Sequence, residues 1–310
     1  MSQIVASIIW LNYNSMKFIN VIKRSLKSIY EISLPLELIV VDNASTDGSF
    51  EEILSYLDGL EERDFKVKVI RLSKNMGYTG GNNMGYLNSD PRTNYIAFIN
   101  NDFIICEGSM EHIISYLDVH KDVGIAQGTI YDIMKKNVDN AGFMCTEALL
   151  NVPIKTLPSN PIYVTYASGS YMVVRRELIS RLGVPFDWFG FMYFDDMPLG
   201  FKAWSMKFKV VSLPIEAGRH VGGASGGIAS EKTLYYLYRG FGILSEVSNT
   251  RYKRQLKSLF VKDLPAVSGI RACNRRLLSA AIKGFMDGFR LGAEMRRRGY
   301  HLNIYAPVDN

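Results

Sequence analysis

The sequence contains few cysteines and no long apolar segment. Its 310 residues include three cysteines, Cys106, Cys145 and Cys273, whose spacing shows no pairing. This pattern favours a reducing compartment and argues against a disulfide framework or a zinc site. No stretch reaches the ~18 apolar residues of a membrane-spanning helix, and the N-terminal segment lacks the features of a signal peptide. We therefore expect a cytoplasmic protein that does not cross the membrane.

The sequence also lacks two common nucleotide-binding signatures and a basic core. Neither the dinucleotide pattern G-x-G-x-x-G nor the P-loop pattern occurs, which argues against an NAD fingerprint and a kinase-type phosphate loop. Residues 251–310 hold 13 Lys and Arg and 4 Asp and Glu, a net charge of +9 against +6 for the whole chain, which leaves −3 for residues 1–250. We therefore expect no nucleic-acid partner and a separate function for the basic tail.

The sequence does contain an alternation of strand patterns and helical patterns. The predicted strands are 4–11, 36–42, 67–72 and 94–100, and the predicted helices extend to about Tyr30 and cover 49–60 and 80–89. This alternation is typical of an α/β fold with a mostly parallel sheet. From about residue 123 we expect two longer strands (123–133 and 162–178), a loop at about 135–160 between them, and helix from about residue 232 onward.

Polar side chains gather where each of the first four strands ends. The clusters are Asn12 to Asn14, Asp42 to Asp47, Asn75 to Asn83 and Asn100 to Asp102. The carboxyl ends of parallel strands meet at one edge of the sheet, where ligands bind, although Asn and Asp also end strands by closing local turns. Helix capping accounts for Asp47 and Ser49. It does not account for Asp42, which we expect to accept hydrogen bonds from a nucleotide base.

Several motifs resemble those of one enzyme family. They are "NYN" after the first strand, "VVDNASTDGS" after the second, "NMGYTGGNNMGY" after the third and "FINND" after the fourth, followed by "ASGSYMVVRREL", "FGFMYFDDMPLGFKAW" and "HVGGAS". In order and spacing the sequence resembles the inverting family 2 nucleotide-sugar glycosyltransferases of the GT-A fold, and most closely their rhamnosyltransferase-like subgroup. The resemblance covers about residues 4–245. It implies a GT-A domain at 1–245, with a nucleotide-sugar half (1–122) and an acceptor half (123–245), and a basic helical extension at 246–310.

The resemblance implies a nucleotide site and a metal site. The nucleotide-binding residues that it implies are Asn12, Asn14, Asp42, Asn75, Gly81, Asn82, Asn100 and Asn101. The family holds Mg²⁺ or Mn²⁺ with an Asp-x-Asp motif, which here reads Asn100-Asn101-Asp102, so that the first acidic position is an amide. Asp102 remains as the carboxylate ligand, and His220 matches the family's metal-binding histidine. A lone histidine is otherwise usually structural or solvated.

An acidic pair supplies the candidate base. The resemblance matches Asp196 to the catalytic base that deprotonates the acceptor hydroxyl, and the neighbouring carboxylate of Asp195 raises its pKa. Pro198 stands where the family commonly has another acidic residue. The alternative role of Asp196 is helix capping, with Pro198 in the first turn. The resemblance also implies that Arg239 and Trp188 contact the acceptor or the diphosphate, although Arg239 is equally compatible with a solvated helix face.

The tail predicts a basic amphipathic helix over residues 276–297. An apolar stripe (Leu278, Ile282, Phe285 and Phe289) and a basic stripe (Arg276, Lys283, Arg290 and Arg297) recur at helical spacing. Such a helix is typical of a membrane-surface element, here at the cytoplasmic face. A helix packed on the catalytic domain with its basic side in water is the alternative.

The sequence therefore predicts a metal-dependent, inverting transfer of a sugar. The expected partners are a nucleotide-diphosphate sugar donor and a glycan or lipid-linked acceptor that carries the attacking hydroxyl. Two other functions compete with this one. A non-catalytic binding protein of the same fold is favoured by the missing first acidic residue and by Pro198, and a sugar-nucleotide pyrophosphorylase is disfavoured because "LNYNSMKF" lacks a glycine run.

Overall fold

A computed structural model describes residues 4–60, 66–134, 137–221, 230–253, 255 and 275–304. Its strands are β1 (Ala6–Asn12), β2 (Leu36–Asp42), β3 (Lys66–Arg71), β4 (Tyr95–Asn100), β5 (Phe103–Ile105), β6 (Val123–Asp132), β7 (Val138–Asn140), β8 (Phe143–Cys145), β9 (Asn151–Pro153), β10 (Ile162–Tyr163), β11 (Tyr171–Arg175) and β12 (Lys209–His220). Its α-helices are α1 (Ile19–Tyr30), α2 (Ser49–Asp58), α3 (Gly77–Leu87), α4 (Ser109–Val119), α5 (Arg176–Leu182), α6 (Asp196–Ser205), α7 (Glu231–Val247) and α8 (Arg275–Arg297).

The large sheet has the order β10-β12-β6-β11-β4-β1-β2-β3. Its first half is parallel: β1 pairs with β2 and β4, and β2 pairs with β3. Strand β11 then runs antiparallel between β4 and β6, and β12 lies parallel to β6. The register places Asn12 beside Asp42 and Leu11 beside Asn100, so the polar strand ends share one edge. The predicted α/β class with a mostly parallel sheet is confirmed.

Helices cover both faces of the sheet. Ile8 and Trp10 of β1 pack into the cluster that contains the buried faces of α1 and α4, whereas Ile9 packs with α3, α5 and α6 on the other face. Because successive strand residues point to opposite faces, a strand covered on both sides must be apolar throughout. This requirement explains the unbroken apolar run that begins the chain.

Two predictions for the second half of the chain are wrong. Residues 162–178 do not form one strand: β10 is short, and β11 is followed directly by α5. The interruption is a turn in which Ser168 Oγ accepts a hydrogen bond from the Ser170 amide at 3.3 Å and Ser168 O accepts one from Tyr171 at the same distance. The segment predicted as a loop carries β7, β8 and β9. The apolar pattern is the same for a strand and for buried irregular chain, so periodicity alone did not separate them.

The C-terminal helical region is confirmed, and α8 packs on α7 at very short distance. A Cβ atom added at Gly284 would lie 2.1 Å from the carbonyl oxygen of Tyr235, and one at Gly288 would lie 2.0 Å from that of Arg239. Contacts therefore advance along both helices in the same direction, and the two helices run parallel. Residues 256–274 of the predicted tail lie outside the described residues.

The packing of α8 on α7 buries part of the predicted apolar stripe and leaves the basic stripe exposed. Phe285 is buried against α7, Leu278 and Phe289 are half-buried, and Ile282 remains 47% exposed. The four residues of the basic stripe are all exposed. Most of the apolar stripe therefore contacts α7 rather than solvent. Of the helices in the described ranges, none combines the length and the apolar character that crossing a membrane requires.

Candidate active site

The ends of β1 and β2 form a buried polar network. Asn12 Nδ2 donates a hydrogen bond to Asp42 Oδ1 at 3.0 Å, and Asn12 Oδ1 accepts one from Asn101 at 2.9 Å. Asp42 also accepts the backbone amide of Ser45 at 3.0 Å, and Asn14 accepts that of Thr46 at 2.8 Å. These bonds hold the loops after β1, β2 and β4 together. They also engage the polar side-chain atoms of Asn12 and Asp42, and both residues are fully buried.

A cavity of about 310 Å³ opens at this edge of the sheet. It lies among the ends of β1 and β4, the turn at 168–170, the segment 191–196 and the start of α7. Seven of the predicted site residues line it: Asn75, Asn100, Asn101, Asp102, Asp195, Asp196 and His220. The structure thus brings the predicted metal ligands and the predicted base to one cavity.

The other predicted site residues lie away from the cavity wall. Asn12, Asn14 and Asp42 belong to the network described above, and Asn82 donates to Tyr78 O at 2.9 Å within α3. Gly81 lets α3 approach β1, because a Cβ there would lie 2.5 Å from Leu11 Cδ1.

Arg239 and Trp188 are also outside the wall. Arg239 donates to the carbonyl oxygen of Phe189 at 2.9 Å and so supports the segment that precedes the acidic pair. The side chain of Trp188, in the same segment, is 49% exposed.

Asp102 and His220 meet although 118 residues separate them in the chain. Strand β12 pairs antiparallel with β5 and sets His220 opposite Phe103, so that His220 Nε2 lies 3.1 Å from Asp102 Oδ1 and 3.5 Å from Asn100 Nδ2. Burial disfavours the charged imidazole, but the Asp102 carboxylate more than offsets it and raises the pKa of His220. The predicted ligands thus form a compact N/O pair at the edge of the sheet.

This pair fits a divalent cation. Within the described ranges, no three His, Cys, Asp or Glu side chains converge as ligands, so the protein would supply only part of a coordination shell. Two adjacent ligands of an octahedral ion, each about 2.1 Å from the metal, lie about 3.0 Å apart. Asp102 Oδ1 and His220 Nε2 are in direct hydrogen-bond contact in this structure, and their separation of 3.1 Å is close to that edge. Sites of this kind are completed by substrate phosphates and water.

The acidic pair begins α6 and is held by backbone amides. Asp195 caps the helix by accepting the Asp196 amide at 2.9 Å. Asp196 accepts the Met197 amide at 2.9 Å and, across the cavity wall, the Gly169 amide at 3.1 Å. The capping role therefore belongs to Asp195, and the carboxylate of Asp196 remains on the cavity wall.

Burial sets the protonation of the pair. Burial, followed by the charge of Asp196, raises the pKa of Asp195 well above its usual range, and burial also raises the pKa of Asp196. The backbone amides of Gly169 and Met197, which donate to the Asp196 carboxylate, favour its ionised form. A buried carboxylate with a raised pKa has the properties of a general base.

Sequence reasoning missed much of the cavity wall. The turn Ser168–Gly169–Ser170 and the aromatic residues Tyr13, Tyr78, Phe191 and Tyr193 line it, together with Lys232 and Thr233 of α7. Tyr78 donates to Gly169 O at 2.6 Å, which joins α3 to the turn that holds Asp196. The small-residue run "SGS" was the available signal, since such a turn brings backbone amides close to a neighbouring group.

Comparison with known proteins identifies the architecture. The sequence model of the family described as Glycosyl transferase family 2 matches residues 7–183. No curated protein sequence matches the chain.

Three solved structures are similar over nearly the whole chain. The mannosyltransferase PcManGT of Pyrobaculum calidifontis, in complex with GDP-Man and Mn²⁺, is 17% identical with a TM-score of 0.58 over 95% of this chain and 79% of that one. S. aureus TarS 1-349 in complex with UDP-GlcNAc is 16% identical with a TM-score of 0.58 over 96% and 92%. GalNAc-T7 with UDP, GalNAc and Mn²⁺ is 14% identical with a TM-score of 0.55 over 97% and 59%. At such identities the likeness shows the fold alone.

Proposed function

The chain belongs to glycosyltransferase family 2 and has the GT-A fold, and from this premise we propose that it transfers a sugar from a nucleotide-diphosphate donor to an acceptor hydroxyl with inversion. The observation that supports the proposal most is that one cavity contains both the Asp102–His220 pair and the Asp196 carboxylate. The chemistry needs these two groups in one place, because the bond to the leaving diphosphate breaks as the bond to the acceptor oxygen forms.

Asp196 is the proposed general base. The acceptor hydroxyl attacks the anomeric carbon, its proton passes to the Asp196 carboxylate, and the nucleoside diphosphate leaves from the opposite side of that carbon. The amides of Gly169 and Met197 hold the carboxylate in place and favour its ionised form. The two backbone amides occupy one lone pair on each carboxylate oxygen, and the carboxylate keeps a further lone pair for the incoming proton.

Asp102 and His220 are the proposed ligands of Mg²⁺ or Mn²⁺. When bound, such a cation would stabilise the negative charge that develops on the leaving diphosphate. The mannosyltransferase and GalNAc-T7 structures contain Mn²⁺, which supports the assignment. Asn100 lies 3.5 Å from His220, which supports a contact of Asn100 with either the cation or the donor.

Three narrower proposals concern the nucleotide, the subgroup and the acceptor. The nucleotide-binding roles of Asn12, Asn14 and Asp42 would be indirect, because these residues hold the loops that line the cavity. The rhamnosyltransferase-like subgroup rests on the motif pattern, and a glycan or lipid-linked acceptor rests on the family resemblance.

We also propose peripheral contact of α8 with anionic membrane at the cytoplasmic face. The outward face of α8 carries Arg290, Arg297 and Arg298, all exposed, beside the exposed apolar side chains of Ile282 and Met286. Since Phe285 packs on α7, this contact would be mainly electrostatic.

The proposal is tested by nucleotide binding. Calorimetric titration of UDP, GDP and other nucleoside diphosphates with Mn²⁺ should show binding that EDTA abolishes, and a ligand at about 100 times its Kd should add ~2.7 kcal/mol to stability in a thermal-shift assay. Asp102→Ala should lose the Mn²⁺-dependent binding with an unchanged fold. Asp58→Ala removes an exposed carboxylate of α2 and should bind like the parent. If Asp102→Ala binds the diphosphate with Mn²⁺ as tightly as the parent, Asp102 is not a ligand.

A further inference from the structure

A second depression lies between the first turns of α7 and α8. It is beside the cavity that contains Asp102, His220 and Asp196, here called the donor cavity. This α7–α8 groove has a volume of about 580 Å³ and opens to solvent. Lys232 lines both the groove and the donor cavity, and its Nζ lies 5.5 Å from the ring centre of Tyr13 and 5.6 Å from that of Phe191. The groove therefore adjoins, at Lys232, the cavity in which the reaction is proposed to occur.

The side chains of the groove are suited to an anion. Lys232, Arg275, Arg276 and Lys283 line it and are exposed. Within the described residues, no carboxylate lies within ion-pair distance of any of the four. Thirteen other described lysines and arginines have such a partner, among them Arg290 and Arg298. Ser279 adds a hydroxyl, and Glu231 is the carboxylate among the lining residues. Four cations against one carboxylate favour a ligand with more than one negative charge.

The close contact of the two helices fixes the shape of the groove. The backbone of Gly284, the residue that follows Lys283, lies against the carbonyl of Tyr235. Tyr235 also donates a hydrogen bond to Asp287 Oδ2 at 3.0 Å, which ties the same two helices on the surface. The cations of α8 are therefore presented toward the start of α7 by a rigid helix pair rather than by a loop.

We infer that the α7–α8 groove binds a phosphate or diphosphate group of the acceptor. The inference rests on the proposed glycosyl transfer, because it names the chemistry of the molecule whose hydroxyl reaches Asp196. Arg275, Arg276 and Lys283 do not line the donor cavity, so they are not placed for the donor's own diphosphate. An acceptor held by its phosphate in the groove extends past Lys232 into the cavity with its hydroxyl end.

Two matched variants test the site. The groove variant, Arg275→Gln/Arg276→Gln/Lys283→Gln, removes three positive charges from the groove. The distal variant, Arg290→Gln/Arg297→Gln/Arg298→Gln, removes three from the C-terminal half of α8 and the residue that follows it. Binding of inorganic pyrophosphate to the full chain is measured by calorimetry in EDTA, so that the metal-dependent donor site does not contribute. The groove variant should lose about tenfold or more in affinity, because charge-assisted hydrogen bonds are lost, and the distal variant should stay close to the parent.

Equal losses in the two variants, or a parent that binds pyrophosphate no better than the groove variant, would overturn the inference. Vesicles of phosphatidylcholine with and without phosphatidylglycerol identify the source of the phosphate. A greater loss of phosphatidylglycerol-dependent pelleting in the groove variant than in the distal variant indicates a lipid head group, and an equal or smaller loss in the groove variant indicates a water-soluble acceptor. Both variants should retain Mn²⁺-dependent nucleotide binding. Absence of that binding from the parent would instead contradict the proposed function and leave the phosphate site standing.

Discussion

Asp196→Asn is the sharpest test of the proposed chemistry. The substitution keeps the size of the side chain and one acceptor oxygen, but it places an amide NH₂ where one of the two backbone amides of Gly169 and Met197 now donates. Loss of one such bond costs about 1–3 kcal/mol. Removal of a buried charge beside Asp195 offsets part of that cost, so the variant should fold.

The effect on turnover should be much larger than the effect on stability. An amide does not accept the acceptor's proton, and loss of a general base costs roughly 10²–10⁴ in rate, which corresponds to about 2.7–5.5 kcal/mol in the activation barrier. Donor binding should remain, because Asp102 and His220 are untouched. Turnover is measured as Mn²⁺-dependent release of nucleoside diphosphate from the donor that binds, together with the Kd of that donor.

Asp195→Asn is the matched control. Burial raises the pKa of Asp195 well above its usual range, and the side-chain oxygen of an asparagine can still accept the Asp196 amide. This variant should lose far less activity. Near-parental turnover in Asp196→Asn, combined with an inactive Asp195→Asn, would refute the assignment and transfer the role of base to Asp195.

The pH profile of the parent provides a second test of Asp196 as the general base. A base acts in its ionised form, so activity should be present above the pKa of Asp196 and be lost as pH falls through it. Burial raises that pKa, and the acid limb should therefore lie above the value of about 3.9 for an ordinary Asp. An acid limb at or below the ordinary value would contradict a buried base.

Two further predictions concern the C-terminal helix. Gly288→Ala should lower the melting temperature by several degrees, because its Cβ would lie 2.0 Å from Arg239 O and overpacking costs about 1–3 kcal/mol. Gly59→Ala is the control, since its Cβ would meet only an ordinary 3.6 Å contact. Equal melting temperatures of the two variants would show that α8 does not pack on α7 as described. The parent should pellet with anionic vesicles at low salt and less at high salt. The distal variant should pellet less than the parent at low salt, since each Lys or Arg contributes about 1 kcal/mol at such a surface. Unchanged pelleting of the distal variant would refute the membrane contact.

The sequence by itself determined the elements whose signal is local. Strand β2 was predicted with its observed bounds, Leu36–Asp42, because an apolar run that ends on a carboxylate is a self-contained pattern. The positions of Asn100 to Asp102 at a strand end and of the acidic pair at a helix start came from the same kind of signal. Each depends on the residues within a few positions of it.

The tertiary structure decided what depends on distant partners. The pairing of β12 with β5 brings His220 to Asp102, the turn at Gly169 places an amide on Asp196, and the network around Asn12 withdraws that residue and Asp42 from the cavity wall. Helical periodicity likewise predicts an apolar face for α8, but it does not predict that α7 covers this face. The physical reason is that periodicity records which face of an element is buried, whereas the identity of what covers that face is set only when the whole chain packs.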